Sequence, residues 1–300
     1  MLKNIQDEII RLKKETDTAI LAHSYQSPAV LEIADETGDS FALSTVATKL
    51  PQKNIIVCGV RFMAETVKVL SPEKRVFLAS PTAACPMAMM IKPEEIVEYK
   101  KAHPDTVVVA YVNTTTAIKA VCDVCVTSSS AVSIVSKIDK PVLFVPDKNL
   151  GTFIKKNFPD KDITLWNGCC PVHNSVTEEE VIEVKKLYPD AKIAMHPELP
   201  DEVLKYADYI GATSGIIKFA ESCDDDVIVG TEKSISDYLS IRYPDRAFPV
   251  MSKKLICPDM RITNLGDVLR TLKGNGFEVD VLEDVRVNAK KAIDKMIELG

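Results

Sequence analysis

A chain of 300 residues that is 46% hydrophobic and 27% charged has the apolar mass for a large buried core, which excludes a disordered protein. Its 37 basic and 43 acidic side chains leave a net charge of −6 with no long block of either sign, arguing for small molecules rather than nucleic acid as partners. No apolar run approaches the roughly 20 residues of a membrane span, and the first residues are charged, so a cytoplasmic protein is expected, with no membrane partner and its eight cysteines in a reducing compartment.

The chain opens on a helix, with Leu2, Ile5, Ile9 and Leu12 spaced for one face. A strand over 19–23 ends on His23; a polar cluster, a helical stretch, Asp35, a short apolar run and Ser40 follow. Then come a strand over 55–57, a second helical stretch, the turn Pro72-Glu73-Lys74, another β-rich run and the pair Cys85-Pro86. The same order starts again at a strand over 107–111 and again at one over 192–196. Taking His23, Tyr111 and His196 as origins, an aspartate stands 12 residues on each time (Asp35, Asp123, Asp208) and a hydroxyl residue 17 on (Ser40, Ser128, Thr213). Strands over 142–145 and 227–229, the turns Pro159-Asp160-Lys161 and Pro244-Asp245-Arg246, and the pairs Cys170-Pro171 and Cys257-Pro258 complete the later copies. A last helix carries Val287, Ile293, Met296 and Ile297 at one-face spacing.

Self-similarity at this period predicts an internal triplication, with repeats at 1–104, 105–190 and 191–300. Short strands with little alternation are buried on both faces, and helical stretches between them imply parallel pairing through right-handed crossovers. The expected fold is therefore α/β: three α/β/α sandwich repeats related by a pseudo-threefold axis, each with a small parallel sheet. The chain lacks a phosphate-binding Walker loop, and Gly274-Asn275-Gly276 lacks the third glycine of a dinucleotide fingerprint.

If the strand ends of the repeats face inward, Cys85, Cys170 and Cys257 converge. Three thiolates suit either zinc with a fourth ligand or an iron–sulfur cluster with one iron lacking a protein ligand. No equivalent fourth cysteine exists, so an open coordination position with Lewis-acid chemistry is the expectation. Cys122 and Cys125 form a C-x-x-C, but they occupy slots held by Ala34 and Ala207 and by Thr37 and Ile210 in the other copies, which favours core packing. Cys169 lacks the following proline, Cys58 ends an apolar strand, and Cys223 has no assigned role. Two residues after the origins stand Tyr25, Asn113 and Glu198; with His23, Tyr111, His196, Ser40, Ser128 and Thr213 they form a ring rich in donors, suited to carboxylate or phosphate groups. Glu198 is the natural general base and His23 or Tyr25 a proton donor. His173, three residues after Cys170, is expected next to the metal, and His103 at the surface.

Through these residues the sequence resembles the quinolinate synthase family. The segments that carry the likeness include Ala22-His23-Ser24-Tyr25-Gln26, Gly38-Asp39-Ser40, Cys85-Pro86-Met87, Tyr111-Val112-Asn113, Asn167-Gly168-Cys169-Cys170-Pro171-Val172-His173, His196-Pro197-Glu198, Thr213-Ser214-Gly215 and Cys257-Pro258-Asp259-Met260. The resemblance implies condensation of iminoaspartate with dihydroxyacetone phosphate to quinolinate, with loss of phosphate and water, and a functional link to an enzyme that produces iminoaspartate. It implies a 4Fe-4S cluster on Cys85, Cys170 and Cys257, whose open iron acts as a Lewis acid. It also implies that His23, Ser40, Tyr111, Asn113, Ser128, His196, Glu198 and Thr213 bind substrate, and that His23, Tyr25 and Glu198 move protons. The residues alone also admit a cluster-dependent hydro-lyase of a small hydroxy acid, or a non-catalytic iron–sulfur sensor.

Overall fold

The computed structural model describes residues 2–300. Two compact units are present: one comprises the chain up to Cys85 with Pro258–Lys290, the other Pro86–Cys257 with Lys291–Gly300.

In the first unit, β1 (Thr18–His23), β2 (Glu36–Gly38), β3 (Asn54–Cys58) and β4 (Arg75–Leu78) pair in parallel in the order β4-β3-β1-β2. The second unit holds two parallel sheets. One is β6-β5-β7-β8, from β5 (Val107–Tyr111), β6 (Val124–Val126), β7 (Val142–Val145) and β8 (Ile163–Leu165). The other is β10-β9-β11, from β9 (Lys192–Met195), β10 (Tyr209–Ile210) and β11 (Val227–Gly230), where a single bridge, Val229 to Val250, stands at the place of a fourth strand. The fold is thus α/β, with small parallel sheets flanked by helices. The run after Cys257 adds β12 (Phe277–Glu278), which pairs antiparallel with β4 and closes that sheet edge.

Strands β1, β7 and β11 are buried along their whole length, as uninterrupted apolar runs require. The recurring aspartates act on the backbone. Asp35, Asp123 and Asp208 each accept at 2.8 Å the amide of the second or third residue of β1, β5 and β9, namely Ile20, Val108 and Ile193. Each also returns its own N–H to the carbonyl of that residue. The base of each Pro-acid-base turn serves a similar end: Lys74 and Lys161 donate to the carbonyls of Leu50 and Ile138, and Arg246 to that of Ala220.

The cysteine loops are built alike. After β3, β7 and β11 the first residue of the next helix donates its N–H to the carbonyl two residues before a cysteine: Arg61 to Ala83 at 3.0 Å, Lys148 to Gly168 at 2.8 Å, Lys233 to Leu255 at 2.8 Å. At Gly168 the approach is close enough that a Cβ would lie 2.6 Å from the Pro146 carbonyl, so glycine is required there. The terminal helices bury narrower faces than their spacing suggests. Leu2, Val287 and Ile297 are exposed, while Ile9, Ala289, Ala292, Ile293 and Met296 are buried.

Candidate active site

In the second unit Tyr111 is the last residue of β5, and His196 and Glu198 follow β9; all three are buried. The Tyr111 hydroxyl donates to Glu198 Oε1 at 2.7 Å, and His173 Nδ1 lies 2.8 Å from Glu198 Oε2. His173 is supplied by the short helix His173–Ser175 directly after Cys170, and its Nε2 lies 3.1 Å from the Thr231 hydroxyl. With Nδ1–H donating to the carboxylate and Nε2 against the Thr231 hydroxyl, the ring is held at both nitrogens. The His173 and His196 rings stack with centroids 5.0 Å apart. Asn149 donates to the Glu198 carbonyl at 2.9 Å and to Asn174 Oδ1 at 3.0 Å, so the backbone of Glu198 is held as well as its carboxylate.

Burial alone would raise the Glu198 pKa. Attraction to His196 and His173, with the hydrogen bonds from His173 and Tyr111, outweighs it and lowers the carboxyl to about 2. Burial first, and then the Glu198 charge and hydrogen bond, pushes the Tyr111 phenol well up, with a Ser128 hydrogen bond opposing. Burial and the Glu198 charge also push the Asp147 carboxyl up, against hydrogen bonds from Leu150 and Cys170. Glu198 is therefore an ionised carboxylate in a buried polar network.

His196 Nδ1 accepts the Glu198 amide at 3.3 Å; in the first unit His23 Nδ1 accepts the Tyr25 amide at 3.1 Å. In each ring Nδ1 is thus the acceptor, which leaves Nε2 as the donor. The His23 and Tyr25 rings meet edge to face at 4.6 Å, and both residues are buried. Ser40 opens the helix Ser40–Ala47, capped by Asp39, and Thr213 opens Thr213–Ser222. Ser128 lies just before the helix Ala131–Ser136, and Asn113 lies two residues beyond β5; Ser40, Ser128 and Asn113 are half-buried and Thr213 is buried.

Residues 7–298 match the family model described as Quinolinate synthetase A protein. The chain is 42% identical over 301 residues to the quinolinate synthase of Thermodesulfovibrio yellowstonii, an alignment covering 100% of this chain and 99% of that protein. The chain belongs to the quinolinate synthase family. It is 43% identical to the quinolinate synthase of Caldicellulosiruptor bescii, with 99% of this chain and 98% of that protein covered. To quinolinate synthase 2 of Methanosarcina acetivorans it is 44% identical, with 99% and 96% covered. Family membership makes the chain an enzyme.

The cysteine donors fit the iron–sulfur group that the quinolinate synthase resemblance implies. Cys85, Cys170 and Cys257 are half-buried thiols on loops of one construction, and thiolates are the donors such groups take. Among the described residues Cys170, His173 and Glu198 form the group of three metal-capable donors, all within 4.8 Å. His173 Nδ1 is 3.3 Å from Cys170 Sγ, and the thiol is the soft donor of the three.

The other cysteines do not resemble ligands. Burial pushes the thiols of Cys58 and Cys125 up to about 12, and that of Cys122 well up as well. The Cys169 amide lies on Met90 Sδ at 3.4 Å, and its thiol is raised by burial with Lys148 opposing. Cys223 follows the helix Thr213–Ser222 as its cap, and His103, exposed, caps Pro93–Ala102.

Sequence reasoning gave no role to Asp147, Asn149 and Asn174, nor to Thr231 and Glu232, although the segment Gly230-Thr231-Glu232 carries part of the family likeness. Asp147 and Glu232 both stand 36 residues after their origins, a signal obscured because the equivalent cap of the first copy is Val60, 37 residues after its origin.

Proposed function

We propose that this chain condenses iminoaspartate with dihydroxyacetone phosphate to give quinolinate, phosphate and two waters, a step of NAD biosynthesis. The observation that carries the reading is the match of residues 7–298 to the quinolinate synthase family, which takes in every residue of the site. In this reading the repeats 1–104, 105–190 and 191–300 each contribute one ligand of a 4Fe-4S cluster, Cys85, Cys170 and Cys257. When bound, the cluster supplies an open iron that acts as a Lewis acid.

The chain's own groups bind and move protons. The Nε2–H groups of His23 and His196, the Tyr111 phenol, the Asn113 amide and the hydroxyls of Ser40, Ser128 and Thr213 suit the carboxylates of iminoaspartate and the phosphate of its partner. Glu198 is ionised at neutral pH and able to take a proton. The hydrogen bonds that lower its pKa make the protonated form a strong acid, ready to give that proton to a departing hydroxyl. One carboxyl can then serve both proton removal and dehydration. His23 and Tyr25 are the second proton-moving pair. The reading includes a cytoplasmic enzyme, whose eight cysteines suit a reducing compartment, working beside an enzyme that produces iminoaspartate. Among the described residues no helix is long and apolar enough to cross a membrane.

The test is anaerobic turnover with iminoaspartate generated in place and dihydroxyacetone phosphate, followed by chromatographic detection of quinolinate and assay of phosphate. Equal amounts of the two products support the reading. A cluster-loaded protein that forms neither, but dehydrates a small hydroxy acid, overturns it in favour of a hydro-lyase.

A further inference from the structure

Asp147 and Glu232 occupy the cap positions of the helices Lys148–Asn157 and Lys233–Arg242, and both are fully buried. Asp147 Oδ1 accepts the Leu150 amide at 2.8 Å while Oδ2 accepts the Cys170 amide at 3.0 Å. Glu232 Oε2 accepts the Ser234 amide at 2.7 Å while Oε1 accepts the Cys257 amide at 3.3 Å. Two side chains of different length thus join the same two donors, a helix N-terminus and the N–H of a cysteine. Capping alone needs one acceptor, and serine or threonine supplies it without the cost of burying a carboxylate. What a carboxylate adds is the second acceptor oxygen. In the first copy the corresponding cap is Val60, with no side-chain cap bond, so the helix itself does not demand an acid there.

Hydrogen bonds to sulfur are one of the levers on the potential of an iron–sulfur cluster. An N–H aimed at sulfur stabilises the extra negative charge of the reduced state. An N–H already given to a carboxylate does not. We infer that Asp147 and Glu232 are positioning residues that turn the amides of Cys170 and Cys257 away from sulfur and so keep the bound cluster oxidised, as a Lewis acid rather than an electron carrier. The inference rests on the reading that these cysteines hold the cluster.

The experiment is a potentiometric titration of anaerobically loaded protein, followed by electron paramagnetic resonance, on the wild type, Asp147→Ala, Glu232→Ala and the shape-preserving Asp147→Asn and Glu232→Gln. Iron and sulfide are measured in each. At a fixed applied potential the ratio of reduced to oxidised cluster is expected to rise at least about tenfold in each alanine variant, which for one electron is a positive shift of about 59 mV. The amide variants, with an N–H₂ group in place of one acceptor oxygen, shift in the same direction and carry the measurement if alanine impairs loading. Loaded variants whose ratio stays within about twofold of the wild type overturn the inference alone. A wild type that binds no iron or sulfide overturns the cluster reading beneath it.

Discussion

Replacing Glu198 by glutamine keeps the size of the side chain and removes its basicity, and the structure sets the scale of both effects. The Oε1 atom of glutamine can still accept from the Tyr111 hydroxyl, which now stands 2.7 Å from a carboxylate oxygen. Its amide nitrogen then faces His173 Nδ1, 2.8 Å away in the wild type, and the ring must change tautomer so that Nδ1 accepts and Nε2 donates to Thr231. Two charge-assisted hydrogen bonds, from Tyr111 and His173, are exchanged for neutral ones, about 1–3 kcal/mol of stability, or a few degrees in Tm for a protein of this size. The catalytic loss is larger, since a positioned general base is worth roughly 10² to 10⁴ in rate. We expect kcat to fall at least about a hundredfold, with iron content and substrate KM near those of the wild type. The same group sets an acid limit on folding. Its pKa falls from 4.5 to about 2 in the native state, so the stability it contributes is present above 4.5 and lost as pH drops toward 2. Glu198→Gln should flatten that part of the stability curve. The assay is anaerobic quinolinate formation by cluster-loaded protein, with thermal unfolding from pH 2 to 7 alongside. A loaded variant with kcat within about threefold of the wild type would refute the assignment and point to Tyr25 or His23 as the base.

Other outcomes follow from the same geometry. Tyr111→Phe removes the hydroxyl bonded to Glu198 and should lower kcat about tenfold while leaving the cluster loaded, because one buried hydrogen bond is worth about 1 kcal/mol; unchanged turnover would show that this bond is idle in catalysis. Asp123→Ala removes the clamp on the Val108 amide and should cost about 1–3 kcal/mol in a denaturant titration without loss of iron. Cys58 and Cys125 keep their protons up to about pH 12 in the folded state against 9.0 ordinarily, so stability should fall as pH rises from 9 toward 12. Cys58→Ala with Cys125→Ala should flatten that alkaline decline, and both thiols should resist alkylation at pH 8 until the chain is unfolded.

The repeat was legible in the sequence because its markers have backbone duties that every copy must perform. Asp35, Asp123 and Asp208 hold the same strand amide at the same distance, so their spacing is fixed by the fold rather than by the chemistry of any one copy. The pairing of Glu198 with Tyr111 was partly legible, since both fall in the polar clusters that end strands. Asp147 and Glu232 were not, because they recur in two copies of three. His173 was marked only by its nearness to Cys170 in the chain, whereas its bond to Glu198 spans two strand ends that no local pattern connects. The return of Phe277–Glu278 to the edge of β4 was hidden for another reason: two residues carry no periodicity, and the partner lies some two hundred positions earlier.

The central claim is that one cysteine from each repeat holds an iron–sulfur cluster on which quinolinate formation depends. The most direct measurement is iron, sulfide and zinc content, with Mössbauer spectra, of anaerobically purified wild type and of Cys85→Ser, Cys170→Ser and Cys257→Ser, with Cys122→Ala as control. The account expects four irons and four sulfides per chain in the wild type and the control, and severe depletion in each of the three serine variants. A zinc-loaded, iron-free wild type active in air, or a Cys170→Ser protein with full cluster and full activity, would contradict it.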